Sequence, residues 1–210
     1  MTGIGSKKKL LVSGFILLSC AELTAMDFDA PQQLSLEGSL IIADPSLRES
    51  GFARSVLLLT SHKHDDGATG FILNKPMGKK VSELIEIDAM RELGELPVFL
   101  GGPVNPDQLT FASLNWQAQD EALGFDTHLS SEEALHRLRE GFHVRAFVGY
   151  SGWSEGQLEL ELQQRAWITR KPVPVVASID VDECLWGELL ASMGPYYRLL
   201  ASMPEHPELN

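Results

Sequence analysis

The chain has 210 residues, 44% of them hydrophobic and 22% charged, with a formal net charge of -12. That length suits one domain with a sizeable core, since domains run to about 50–250 residues, and the composition is ordinary for a soluble globular protein. The acidic balance speaks against non-specific affinity for nucleic acid, whose phosphates demand a basic face, and lysine gathers only at Lys7 to Lys9 and at Lys79-Lys80.

Lys7 to Lys9 precede an apolar run over residues 10–18, then Ser19-Cys20 and Leu23-Thr24-Ala25. A basic head, a short apolar middle and small residues at the exit read as a secretory signal over residues 1–25, too short for a membrane span. Export would leave Cys20 as a lipid-anchoring position. The alternative is translation from Met26, with residues 26–210 forming one cytoplasmic domain. Cys20 and Cys184 are the two cysteines, so a chain starting at Met26 has no internal disulfide, which fits a reducing compartment. Cys184, among Val181, Leu185 and Leu189, reads as a buried small hydrophobe.

After a polar lead-in over 27–35, residues 39–43 read as a short buried strand closed by Asp44-Pro45. A turn or brief helix follows over 46–52. Residues 54–60 and 68–73 are apolar strands flanking a polar turn, a hairpin pattern, and Pro76 stops the second. Residues 81–87 suit a helical turn or two. Residues 97–100 form a strand running into Gly101-Gly102-Pro103, a tight turn that would bring Leu100 and Leu109 into register. Residues 109–114 are a further strand, followed by a polar loop to about Leu123. Ser130 with Glu133 makes a capping box, opening a helix that ends at Gly141. Residues 144–150 form a strand. Residues 157–167 alternate Leu158, Leu160 and Leu162 like a strand, but leucine, glutamate and glutamine favour the helix predicted here. Residues 173–177 are predicted as a strand, and 182–193 as a helix stopped by Gly194. Short elements without regular βαβ alternation point to an α+β domain.

Three segments stand out in order: Gly67-Ala68-Thr69-Gly70-Phe71-Ile72-Leu73-Asn74-Lys75-Pro76, Gly101-Gly102-Pro103-Val104, and the glycine-rich turn from Gly149 through Gly152, Trp153 and Gly156 to Glu161. The ordered set resembles the YqgE/AlgH family of small bacterial proteins, from about Gly38 to Trp167. The resemblance implies a compact, mostly antiparallel sheet partly rolled into a barrel, with helices around it. The family carries a transcriptional-regulator label. No helix-turn-helix with a basic recognition helix is visible in the sequence, so indirect regulation through a protein or small molecule is the expected mode, without direct nucleic-acid contact.

Gly152-Trp153-Ser154-Glu155-Gly156 matches the G-x-S-x-G nucleophile elbow, between a strand and a predicted helix, with Asp180 or Asp182 and then His206 in hydrolase order. Hairpins upstream and the proline-flanked position of His206 weigh against that enzyme. His62-Lys63-His64-Asp65-Asp66 offers metal-ligand spacing without a third and fourth ligand nearby, and His128, His136 and His143 are too dispersed to assign. No metal and no cofactor is expected. Gly101, Gly102, Pro103, Gly149, Gly152 and Gly156 are read as structural turn residues. Trp153, Gln157, Glu159 and Asn74 form the candidate binding surface. An aromatic, amides and carboxylates around a loop suit a ligand or partner. The competing reading packs Trp153 into the core and leaves the glutamates favouring a helix N-terminus.

Overall fold

In the computed structural model, residues 35–47, 51–63, 65–86, 90–178 and 181–202 are described. The signal-like segment, Cys20, Met26, His64, Asp180 and His206 lie outside them. Among the described residues, nine strands build one curled sheet: β1 Leu40–Ala43, β2 Val56–Lys63, β3 Gly67–Ile72, β4 Pro76–Lys80, β5 Pro97–Leu100, β6 Val104–Gln117, β7 Ala122–Leu129, β8 His143–Trp153 and β9 Trp167–Arg170. Their spatial order is β4-β5-β8-β3-β2-β1-β9, with β6 laid against β8 and β7 against β6. Every described pairing is antiparallel except β5 with β8. The sheet curls into a half-barrel with five α-helices around it among the described residues, an α+β fold.

Alternation along each strand sends side chains to opposite faces, and where both faces are covered, as in β1 and the first half of β2, the strand reads as a continuous apolar run. Leu40 and Ile42 of β1, Leu58 of β2, Phe71 of β3 and Phe147 of β8 enter one cluster. Helix α4, Cys184–Ser192, closes it with Leu185, Trp186, Leu189 and Leu190. The opposite faces carry Ile41, Leu57, Leu59 and Ala68 beneath α3, Gln157–Gln163. Val98, Val144 and Ala146 lie against α1, Arg91–Gly94, and α2, Ser131–Arg139. Among the described residues no helix is long and apolar enough to cross a membrane.

The junction between β5 and β6 differs from the expected tight turn. Leu100 pairs with Val148 on one edge of β8, and Leu109 pairs with the same Val148 on the other. Gly101-Gly102 therefore carries the chain across the face of β8, so Leu100 and Leu109 are separated by a strand instead of brought into register. Residues 173–177 also depart from expectation. They form a 3-10 turn, Pro174–Ala177, opened by proline at its first position, where the missing N–H and fixed φ suit a helical start. The helix predicted over 157–167 stops at Gln163. Arg165 takes a φ of 60° and Ala166 N–H reaches back to Glu161 O, a left-handed cap without the usual glycine. Cys184 is exposed, not buried, and Asp182 holds its thiol above the ordinary range by hydrogen bonding and charge.

The capping box forms as expected: Ser130 N–H donates to Glu133 Oε2 at 2.9 Å and Glu133 N–H to Ser130 Oγ at 3.2 Å. These bonds hold the Glu133 carboxyl below its usual range. Ser130→Ala should lower unfolding free energy by about 1 kcal/mol, the usual worth of such a cap, measured by urea titration. Loss of no more than about 0.2 kcal/mol would show the cap to be idle.

Candidate functional site at the turn between β8 and α3

Strand β8 ends on Trp153, and Gly156, at φ 71°, turns the chain into α3. One turn into α3, Gln157 and Glu161 share a helix face, as residues four apart do. Glu161 is the hub. Its Oε2 accepts from Trp153 Nε1 at 2.9 Å and from Trp167 Nε1 at 2.7 Å. Its Oε1 accepts from Gln157 Nε2 at 3.0 Å. Gln157 Oε1 in turn accepts from both the amide and the hydroxyl of Ser154 at 3.1 Å. Buried indoles need a partner for their N–H, and a carboxylate is a strong one. Phe52 stacks on Trp153 at 6.3 Å and meets Trp167 edge-on at 5.5 Å, completing an aromatic wedge. Trp153 is 5% exposed. Gln157, Ser154 and Glu155 are exposed above it.

Glu159 faces the sheet. Its Oε1 lies 2.8 Å from His62 Nε2, while His62 Nδ1 accepts from Leu36 N–H at 3.0 Å. An acceptor at Nδ1 assigns the ring proton to Nε2, so the imidazole donates to the carboxylate and ties α3 to β2. Both His62 nitrogens, considered above for metal, are engaged this way.

Asn74 belongs to another locality, the loop after β3. It is buried, its Oδ1 accepting from Val56 N–H at 2.8 Å and its Nδ2 donating to Arg54 O at 3.0 Å. The amide thus stands in for a ladder partner at the start of β2. It also walls a cavity of about 400 Å³ between Arg54, Lys75, Met77, Leu100 and Glu183. The structure therefore brings Trp153, Gln157 and Glu159 together on one corner and places Asn74 at a separate hollow.

One buried group escaped the sequence reading. Arg145, in the apolar run of β8, is 0% exposed. Its Nη2 donates to Val176 O at 2.8 Å and to Ser178 O, its Nη1 lies 3.4 Å from Leu73 O, and its guanidinium rests over Phe99 at 5.3 Å. Burial pushes it down to about 10, so it remains a cation at neutral pH. It pins the 3-10 turn before α4 to the central strand. The signal was a lone arginine between Val144 and the apolar Ala146-Phe147-Val148.

The chain matches the AlgH-like family over residues 40–198. It is 36% identical over 181 residues to a UPF0301 protein of Chlorobium limicola, covering 82% of this chain and 95% of that one. It is likewise 36% identical over 187 residues to a UPF0301 protein of Cytophaga hutchinsonii, covering 83% and 98%. Among solved structures it is similar to the AlgH protein from Pseudomonas aeruginosa, at a TM-score of 0.58 and 25% identity over 85% of this chain and 98% of that one. Protein DIP2367 from Corynebacterium diphtheriae shares the fold, with a TM-score of 0.62 and 20% identity over 81% and 93%.

Proposed function

This chain belongs to the AlgH-like family, and we propose that it acts there as a non-enzymatic regulatory protein, binding a protein or small molecule instead of DNA. The supporting observation is the engagement of Ser154. A serine nucleophile needs a base within hydrogen-bond reach to take its proton. Among the described residues, Ser154 Oγ bonds the amide oxygen of Gln157, which is no base, and Gln157 is itself held by Glu161. The surrounding sheet also favours this reading, because the hydrolase elbow tops a sheet of parallel strands and β5–β8 is the one parallel pairing described. A net charge of -12 supports a partner other than nucleic acid. The exposed, unpaired thiol of Cys184 suits a reducing, cytoplasmic setting.

The competing class is a serine hydrolase, and an activity-based probe separates the two. Incubation with a fluorophosphonate followed by peptide mass spectrometry is expected to leave Ser154 unmodified. An adduct on Ser154, absent from Ser154→Ala, would overturn the proposal.

A further inference from the structure

A cleft of about 300 Å³ opens where β2, β3, β6, β7 and β8 converge, walled by Thr60, Thr69, Asn105, Gln108, His128 and Tyr150, with Phe71 beneath. Thr60, Asn105, Gln108 and His128 come from three irregularities in the ladders. Register shifts between Leu59 and Ser61, at Thr60. It shifts again between Val104 and Leu109, the stretch that carries Asn105 and Gln108. Between Phe111 and Ser113 the partners on β7 jump from Leu129 to Asp126, leaving His128 in the extra residue's place. Bulges of this kind re-aim side chains and gather beside functional sites. Asn105 and His128 also hold left-handed backbone, at φ 50° and 57°. Such strain persists only where the surroundings enforce it.

The chemistry narrows the occupant. None of the lining side chains is an acid, a lysine or an arginine. Thr60 and Thr69 hydroxyls lie 3.3 Å apart, and Asn105 Nδ2 makes a long 3.4 Å contact with Gln108 Oε1. Among the described residues, Asn105 Oδ1, Gln108 Nε2, the His128 nitrogens and the Tyr150 hydroxyl have no protein hydrogen-bond partner. Side-chain amides read the adjacent donors and acceptors of a base edge, and aromatic rings stack on its face. The His128 ring stands 5.9 Å from that of Phe71, which is braced on Phe147 at 4.7 Å.

We propose that this cleft binds an uncharged nitrogen heterocycle of the nucleobase kind, as a free base or nucleoside. The proposal deepens the binding reading above, while using no residue of the Ser154 turn. The test is a titration of the isotope-labelled full chain with adenosine, guanosine, cytidine, uridine and, as a neutral polyol control, glucose, followed by amide NMR. At least one nucleoside should give saturable shifts concentrated at Thr69, Gly70, His128 and Tyr150. Gln108→Ala and Thr69→Val should each weaken that nucleoside about three- to tenfold, the worth of one neutral hydrogen bond. Gln108 is exposed, so its variant reports binding even if the strand substitution disturbs folding. Saturable shifts at those amides with glucose and no nucleoside would overturn the ligand class. No saturable shift with any nucleoside, or unchanged affinity in Gln108→Ala, would overturn the site. A Ser154 adduct with fluorophosphonate would defeat the non-enzymatic reading while leaving this titration untouched, so the two failures are distinguishable.

Discussion

Gly149→Ala is expected to destabilise the protein by about 2–5 kcal/mol, combining the cost of left-handed backbone for an L-residue with overpacking. Gly149 sits at φ 68° in β8, where Gly101 and Gly102 cross over it. A Cβ on Gly149 would lie on the Gly102 carbonyl oxygen and 2.9 Å from that of Val104, and one on Gly101 would strike the Gly149 carbonyl oxygen. Backbone cannot move aside as a flexible side chain does. Gly101 N–H also donates to Val148 O at 2.8 Å, and Ile72 N–H to Gly101 O at 3.0 Å, so the crossing is bonded in place. Against a usual total of about 5–15 kcal/mol, such a loss lowers the melting temperature by roughly 10 °C or unfolds the chain outright. Gly156 and Gly152 provide the comparison. Gly156 shares the positive φ but has open space for a Cβ, and Gly152 lacks the positive φ and would meet only the Tyr150 and Val104 side chains at van der Waals distance. The expected order of loss by calorimetry is Gly149→Ala, then Gly156→Ala, then Gly152→Ala. Equal losses at Gly149 and Gly156 would mean the crossing is not what demands glycine.

This crossing marks the limit of what the sequence could disclose. The glycine density at Gly101-Gly102 and Gly149 was visible, but not that the two segments were made for each other, because their contact joins distant residues. Strands β1, β2, β3 and β5 were legible through short, largely buried apolar stretches, residues 40–43, 56–59, 71–72 and 98–100. Strand β4 was not, being exposed at every residue, with Pro76 at its first position and Lys79 and Lys80 on an edge that charge protects from further pairing. Strand β7 hides for a related reason: Gly124, Asp126, Thr127 and His128 interrupt its alternation. Helix α5, Pro195–Ala201, follows Gly194 directly, and the glycine that stopped one helix also masked the start of the next. At the candidate corner, Trp153, Gln157 and Glu159 were legible as neighbours through their spacing. Trp167 and Phe52, which complete the wedge, come from other elements and left no local sign. The proline-free stretch around His128 likewise carries no sequence mark of its left-handed backbone.

Trp153→Ala should cost about 3–5 kcal/mol in urea unfolding, as truncation of a buried aromatic does. The ring fills the space between Phe52, Trp167 and the sheet, and its N–H shares Glu161 Oε2 with Trp167. Trp153→Phe keeps most of the packing and loses that bond, so about 1.5–3 kcal/mol is expected, the range for a hydrogen bond to a charged group. Gln157→Ala, at an exposed position, should stay within about 0.5 kcal/mol of the parent. The contrast assigns roles within one network. Trp153, Trp167 and Glu161 form the rigid support, and Gln157, Ser154 and Glu155 are the groups a partner can reach, with Leu160, 53% exposed, on the same helix. Loops held by a rigid scaffold are where binding residues concentrate, so a contact here would run through that exposed rim and leave the indole beneath it untouched. A Trp153→Ala protein within 1 kcal/mol of the parent would refute the packing role and return the indole to the surface as a candidate contact.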